Sequence, residues 1–572
     1  MARPLKYLFF LLLLILFAIT SFFFFSKSRP IQPAQIKSPS PAENNAIILP
    51  HLDTAKTDRV NFLKSIKNTN PTNIFIFSTN HFASSSNDIV FDNSDWTQSQ
   101  GTITGNAKIK ESFSAYEISH DLVVGDHGIR NPISDLYEVF PKAQYSNFLI
   151  KAGTSDQSID ELLSKISSYC SGTKKSCLVA GSVDMSHYCP SQIADFHDQF
   201  TISALKNQSE EKIKKAETDS PEVLELLVKW AKFNKLNSFD VFSQNNSGKL
   251  AGDYEGETTS WIIGQFGKFD KKPEENFELM FAGDIMMDRS VNHQYQNNGF
   301  EKIFQNFPSR VFAGVDASVA NLEGPVNDGP VDDDETADNL IFNFPLNSLD
   351  ALSFINLDGF SLANNHTLND SKAGLDRTRK ILKEKNFFSF GSPDKIDDYS
   401  LYKLNSNAAV SLIGVNVLSG FDRDSLKAMI EGEKSTGQFV IVFPHWGSEY
   451  ATSHNSSQES LAHLMVDSGA DLVVGSHPHV VQDSEIYKGK LIAYSLGNFV
   501  FDQLFSAETQ RGAILSVSAT GEKIKVGFTP IVSKKIKVEL AKGEEKQAIL
   551  DRVVAGLGFI KKGEDGTIEL ER

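Results

Sequence analysis

The chain has 572 residues, with 56 Lys plus Arg against 72 Asp plus Glu and a formal charge of −16. That length exceeds what one hydrophobic core fills and calls for at least two domains. The negative balance offers no basic footprint and argues against nucleic acid as a partner. In chain order, the first feature is the apolar run from Tyr7 to Phe25, whose only clearly polar members are Thr20 and Ser21. As a helix it spans roughly 28 Å, about the hydrocarbon thickness of a bilayer. A cleaved leader usually has a shorter apolar stretch ending in small residues. This run ends in Phe22 to Phe25, so one transmembrane signal anchor is expected at 7–25. Basic residues flank both ends and leave orientation open by charge alone. With a single span, the bulk of the chain is expected outside the cytoplasmic membrane.

Residues 26–45, rich in Pro, Ser and polar side chains, read as an extended tether. A first domain is expected over 46–266. The charged, Pro273-containing stretch 267–276 reads as a linker. A second domain then covers 277–535, followed by an extension, 536–572. Short β-branched and aromatic runs ("NIFIFS", "SCLVAGS", "GQFVIVF", "ADLVVG") alternate with helical-period segments such as "GLDRTRKILKEK". That alternation predicts α/β architecture in both halves, with strands buried on both faces. The three cysteines, Cys170, Cys177 and Cys189, have no CxxC spacing. "CSGTKKSC" closes a small disulfide loop in an oxidising compartment, or all three stay thiols.

The C-terminal half places polar residues at the ends of its apolar runs. "LMFAGD" ends in Asp284, "ASVANLEG" in Asn321 and Glu323, "GFSLANNH" in Asn364, Asn365 and His366, "FVIVFPHWG" delivers His445, and "DLVVGSHPH" delivers His477 and His479. Ligands of open α/β sheets collect outside the carboxyl ends of strands, so these groups can converge. Carboxylates, amide oxygens and imidazoles without thiolate suit hard to borderline divalent ions. Such a centre lowers the pKa of a bound water and clamps a phosphoryl oxygen. Gly283, Gly324 and Gly475 read as allowing tight turns. His-Pro-His reads as an extended segment aiming both imidazoles to one side. The acidic run 331–338 reads as a solvated loop.

"FAGDIMMDR", "VANLEGPV", "SLANNHTLND", "VFPHWGSEY", "GADLVVGSHPHVVQ" and "IAYSLGNFVFDQ" together resemble the successive motifs of CapA-type poly-γ-glutamate capsule biosynthesis proteins, a branch of the calcineurin-like metallophosphatases. The resemblance implies a sandwich of two sheets flanked by helices. It implies Asp284, Glu323, Asn365, His445, His477 and His479 as ligands of one or two ions (Mn, Zn or Fe), and His366 as the acid. Where the wider superfamily has Asp-x-His this chain has Asp284, Ile285, Met286, and Glu323 stands where an Asp is usual. Met286 is a poor ligand for a hard ion and removes one imidazole position.

The N-terminal half repeats the habit. "IILPH" ends in His51, "NIFIFSTNH" in His81 and "SCLVAGSVDMSHY" in Asp184 and His187, while "GDHGIRNPISDLYEVFP" adds Asp126 and His127. These motifs, with "SGKLAGDYEGETTSWIIGQF", resemble Memo-like proteins, whose fold is related to the class III extradiol dioxygenases. The resemblance implies a pocket shared by His51, His81 and His187, and iron as its cofactor. The Cys-Gly segment of many Memo-like members is replaced by "DSPEVLELL", which weakens that site.

The expectation is therefore a membrane-anchored, extracytoplasmic protein of capsule synthesis, export or attachment. Its partners would be an anionic surface polymer or its phosphorylated precursor and other capsule-assembly membrane proteins. Its reaction would be metal-assisted phosphoester hydrolysis or transfer. A non-catalytic polymer-binding or assembly protein with a structural metal, and an iron-dependent oxygenase in the N-terminal domain, are the alternatives.

Overall fold

A computed structural model describes residues 45–82, 85–98, 101–172, 176–268, 276–329, 331, 340–404, 409–521, 523–557 and 567–571. The expected anchor at 7–25 and most of the acidic run 331–338 lie outside the described residues. No helix among those described is long and apolar enough to cross a membrane.

The N-terminal half builds a nine-stranded mixed sheet among the described residues. At its centre Cys177–Ser182 lies between Asn45–Leu49 and Asn73–Thr79, parallel to both, and Gln144–Ile150 extends the parallel set. Antiparallel Thr258–Gly267 and Ser238–Asn246 close one side. The central strands are buried along their whole length, as continuous apolar runs covered on both faces must be.

The C-terminal half is a two-sheet sandwich. Among the described residues a nine-stranded sheet has Asn276–Ile285 at its heart, with Ala317–Leu322 and Gly359–Ser361 on one side and the long antiparallel pair Arg511–Thr520 and Lys523–Lys534 on the other. A six-stranded sheet carries Phe439–His445 and Leu472–Val474. Phe277, Leu279 and Phe281 of the first sheet and Leu412, Ile441 and Phe443 of the second meet in one apolar layer between them. Helices Arg423–Ser435 and Ser456–Asp467 cover the outer face of the smaller sheet through Leu426, Ile430, Leu461 and Met465. Past residue 535 the chain does not trail away as an extension. Lys537–Leu540 and Ile568–Glu571 both pair with Lys523–Lys534, completing the large sheet.

The halves are not beads on a string. Cys189 and Ile193 of the first half lie in the apolar cluster of the second, beside Met280 and Phe307. Lys212, 5% exposed, places its ammonium 2.9 Å from Asp316 and 3.2 Å from the carbonyl of Asn276. Removing either partner of such a buried pair costs more than the pair itself contributes.

Candidate metal centre

Strand register brings the C-terminal residues together. Asp284 is paired with Asn321 on one side and Asn498 on the other, and His445, the last residue of its strand, bridges to Ser476. Gly283 permits this, but by close approach rather than by a turn: a Cβ there would lie 1.8 Å from the carbonyl of Gly497. Gly475 acts similarly, since a Cβ would meet the Tyr494 carbonyl at 2.1 Å and the Trp446 indole nitrogen at 2.4 Å. Of the three glycines singled out from sequence, only Gly324 has a positive φ, 157°.

The His-Pro-His segment is not extended. Its strand stops at Val474, and His477 and His479 take φ of 97° and 58°. Two non-glycine residues in this region cost roughly 1–3 kcal/mol each. They are held by His477 N–H donating to Asp284 Oδ2 at 3.2 Å and Tyr450 N–H donating to the Pro478 carbonyl at 2.8 Å. The turn, not an extended segment, brings both imidazoles to one centre, their ring centroids 5.6 Å apart. His477 packs against His445, with ring centroids 4.7 Å apart, and His479 packs against Phe501 at the same spacing.

Asp284, Glu323 and His445 form one group whose ligand atoms all lie within 4.8 Å of one another, and Glu323, His477 and His479 form a second. All five side chains are buried. Glu323 Oε1 and His477 Nδ1 are buried without a hydrogen-bond partner. An orphaned acceptor and an orphaned imidazole nitrogen facing one cluster are what a cation would satisfy, and the donor set fits a divalent ion. Burial, with the Asp284 charge, lifts the Glu323 carboxyl to about 8. Burial lowers His479, but Glu323 and Asp284 outweigh it and raise that imidazole to about 9. Burial, with the charge of neighbouring histidines, holds His445 far below its ordinary value and His477 at about 4. Two imidazoles therefore stand neutral, the state a ligand needs, while His479 Nε2 faces Glu323 Oε1 at 3.5 Å.

The surroundings aim these groups. Asn321 donates to Asp284 Oδ1 at 2.7 Å and Glu323 Oε2 at 3.2 Å, and Asn364 donates to Asn321 Oδ1 at 3.0 Å. Asn364 is thus a support, whereas exposed Asn365 reaches the centre with Oδ1 2.8 Å from His445 Nε2. His366 Nδ1 faces two acceptors, the Leu340 carbonyl and Asn369 Oδ1, each at 3.1 Å, which assigns the proton to Nδ1 and turns Nε2 toward Glu323 Oε1, 3.8 Å away. Its ring stacks on Phe342 at 4.1 Å, and Arg289 lies over the same Phe342, paired with Asp502. Burial holds His366 below its ordinary value, so it stands neutral rather than as a ready acid. Met286 is in the apolar core, its sulfur 3.1 Å from the Asp288 N–H, and adds no ligand. Asn498 was not singled out from sequence. It lies within the "SLGNFVF" motif, but only the fold shows its Oδ1 3.0 Å from His479 Nδ1.

The N-terminal pocket gathers a second set. The rings of His51, His81 and His127 lie 4.0 to 5.1 Å apart. His187, expected as the third imidazole, does not join this group; its ring packs beside Tyr188. The carboxylate missed from sequence is Asp219. It comes from the very segment, "DSPEVLELL", read as weakening the site. Its Oδ2 lies 3.1 Å from His51 Nε2 and 3.5 Å from His81 Nε2, yet neither carboxylate oxygen accepts a hydrogen bond of normal geometry. His51, Asp184 and Asp219 form a further group of cation-holding geometry, as do the three histidines. Against burial, the two imidazoles hold Asp219 at about 2, while burial, only partly offset by His51, raises Asp184. Asp126 caps helix His127–Val139 and takes His81 Nδ1 at 2.7 Å, which lifts His81, despite burial, to about 9.

Residues 278–503 match the family model described as bacterial capsule synthesis protein, and residues 26–257 match that of Memo-like protein. The PGA biosynthesis protein CapA of Bacillus subtilis is 30% identical over 315 residues, which are 51% of this chain and 81% of that protein. The chain belongs to the bacterial capsule synthesis protein family. The capsule biosynthesis protein CapA of Bacillus anthracis is likewise 30% identical over 253 residues, 41% of this chain and 61% of that protein. In both matches about half of this chain or more lies outside the alignment. Among solved structures, that of an uncharacterized Escherichia coli K12 protein aligns over 39% of this chain at 10% identity with a TM-score of 0.28, too slight a likeness to bear on the fold.

Proposed function

We propose that the capsule synthesis domain is a metal-dependent phosphoester hydrolase or transferase acting on an anionic capsule polymer, of poly-γ-glutamate type, or on its phosphorylated precursor. The observation that carries this reading is the pair of buried, unpartnered atoms Glu323 Oε1 and His477 Nδ1 within one cluster of carboxylates and imidazoles. Asp284, Glu323, Asn365, His445, His477 and His479 would hold the cation. When bound, it supplies Lewis acidity toward a phosphoryl oxygen and lowers the pKa of a water. The chain's own part is orientation and proton handling. Asn321 and Asn498 fix the carboxylates and His479. His366 Nε2 faces the cluster as a hydrogen-bond acceptor; the charge of an arriving phosphoryl group raises its proton affinity so that Nε2 takes a proton from solvent, which it would then pass to the leaving oxygen.

Location outside the cytoplasmic membrane is part of the proposal. It is supported by the apolar run 7–25 and by the disulfide between Cys170 and Cys177, a bond that persists in oxidising compartments. A second reading, a cation site in the Memo-like domain, is favoured by the Asp219 carboxylate, which faces His51 and His81 beside Asp184 and His127. Its histidine and carboxylate set suits iron as well as other divalent ions.

The test is hydrolysis of a generic phosphodiester by the Mn²⁺-loaded full chain, beside His366→Ala and Asp284→Ala. Activity in the wild type, reduced about 10²-fold or more in His366→Ala and lost with metal in Asp284→Ala, supports the enzyme. Bound metal with no activity above the His366→Ala level refutes it for this substrate class and leaves a structural metal.

A further inference from the structure

Residues 310–314 of the capsule synthesis domain grip both walls of the Memo-like pocket. On one wall, Arg310 Nε lies 2.8 Å from both carboxylate oxygens of buried Glu217, and Gly314 N–H donates to the Lys215 carbonyl at 3.1 Å. Gly314 has φ of 59°, and a Cβ there would come within 3.2 Å of Glu217. Two residues beyond Glu217 the same loop delivers Asp219. The loop is pinned by Thr218 Oγ1 and Asp219 N–H, both donating to the Asp184 carbonyl, at 2.8 and 3.1 Å. On the other wall, fully buried His197 donates from Nε2 to the Val311 carbonyl at 3.0 Å. That bond leaves His197 Nδ1 to accept from Ser186 Oγ at 2.9 Å, two residues from Asp184.

A loop of five residues between helices Glu210–Lys215 and Pro221–Phe233 has no strand to set its course. Its placement comes from its ends and from what it leans on, and here the middle of the loop leans on the other domain. Within the Memo-like half the Glu217 carboxylate is met by the backbone N–H of His187, while its cationic partner, Arg310, comes from the capsule synthesis domain.

We propose that the Memo-like pocket is a two-domain site, in which Arg310, Val311 and Gly314 of the capsule synthesis domain position Asp219 and Asp184 among His51, His81 and His127 and so set the pocket's affinity for a divalent cation. The affinity clause rests on the reading of that pocket as a cation site; the positioning clause does not. Arg310 is a positioning residue, two side chains removed from the cluster.

The test uses the full chain carrying Asp284→Ala, which weakens the C-terminal centre. Amide exchange over residues 216–220 is followed without metal, and Co²⁺ binding is followed by its visible absorption. Arg310→Met should speed exchange of the Asp219 amide at least tenfold and weaken Co²⁺ binding about 10–100-fold, the usual effect of losing a residue that orients a ligand. Arg310→Lys, which keeps a cation beside Glu217, should recover most of both. Because the Arg310 side chain is 47% exposed, the substitution leaves the core intact. Unchanged exchange in Arg310→Met overturns the positioning, and faster exchange with unchanged Co²⁺ affinity overturns the affinity clause. If the Asp284→Ala chain takes up no Co²⁺ that His51→Ala removes, the cation reading fails while exchange still decides the positioning.

Discussion

Asn498→Ala isolates one second-layer contact at the capsule synthesis centre. Asn498 is 1% exposed, and its amide nitrogen donates to Gln503 Oε1 at 3.1 Å and to the Thr509 carbonyl at 3.0 Å. Those two donations orient Oδ1 toward His479 Nδ1 at 3.0 Å. Nδ1 is thereby held as a donor to Asn498, and Nε2 is left facing Glu323 Oε1, 3.5 Å away. Alanine removes the acceptor, so His479 Nδ1 keeps only the longer contact to Asp284 Oδ2 at 3.3 Å and the ring is less firmly oriented. Loss of the partner of a ligating histidine typically weakens metal binding about 10–100-fold, or roughly 1.4–2.7 kcal/mol. The unpaired Thr509 carbonyl and Gln503 amide add a stability cost of about 1–3 kcal/mol each. Mn²⁺ titration by calorimetry measures the first, and urea unfolding of the metal-free chain measures the second. Asn498→Asp keeps an acceptor for His479, so it should lose stability while retaining most of the metal affinity. Equal Mn²⁺ affinity in wild type and Asn498→Ala, within twofold, would show that His479 is not a ligand held through this bond.

Two further outcomes follow from buried groups. Asp198 is fully buried, accepting from Gln244 at 2.7 Å and Ser260 at 2.7 Å, and burial lifts its carboxyl to about 8. A pKa raised in the folded state contributes stability that is complete below the ordinary value near 4 and is lost as pH rises through about 8. The stability of Asp198→Asn relative to wild type should therefore rise between pH 5 and 8, and parallel profiles would refute the shift. Reduction of Cys170–Cys177, or Cys170→Ser, opens a loop with a sequence separation of 7. By chain entropy it should lower unfolding free energy by about 2–3 kcal/mol, read as a shift in urea midpoint. A midpoint unmoved by reductant would mean the bond is not formed in solution.

The sequence by itself determined the α/β class, the two-domain order and which residues cluster at the C-terminal centre. Asp284, Glu323, His445, His477 and His479 were legible because a polar residue ending an apolar strand is a local signal, and parallel sheets gather strand ends. What stayed hidden were contacts with no local signature. Asn498 supports His479 from a strand that joins the sheet beside Asp284, and Asp219 enters its pocket from a loop with no apolar strand to announce it. The His-Pro-His turn also defied the local rule. Backbone preference favours extended geometry before proline, but the hydrogen bonds that His477 N–H donates to Asp284 and Tyr450 N–H donates to the Pro478 carbonyl outweigh it. The seam through Arg310, Val311 and Gly314 was the least legible of all. Its partners are about a hundred residues away in sequence, and only the packing of one domain on the other decides that a turn, a loop and a helix meet there.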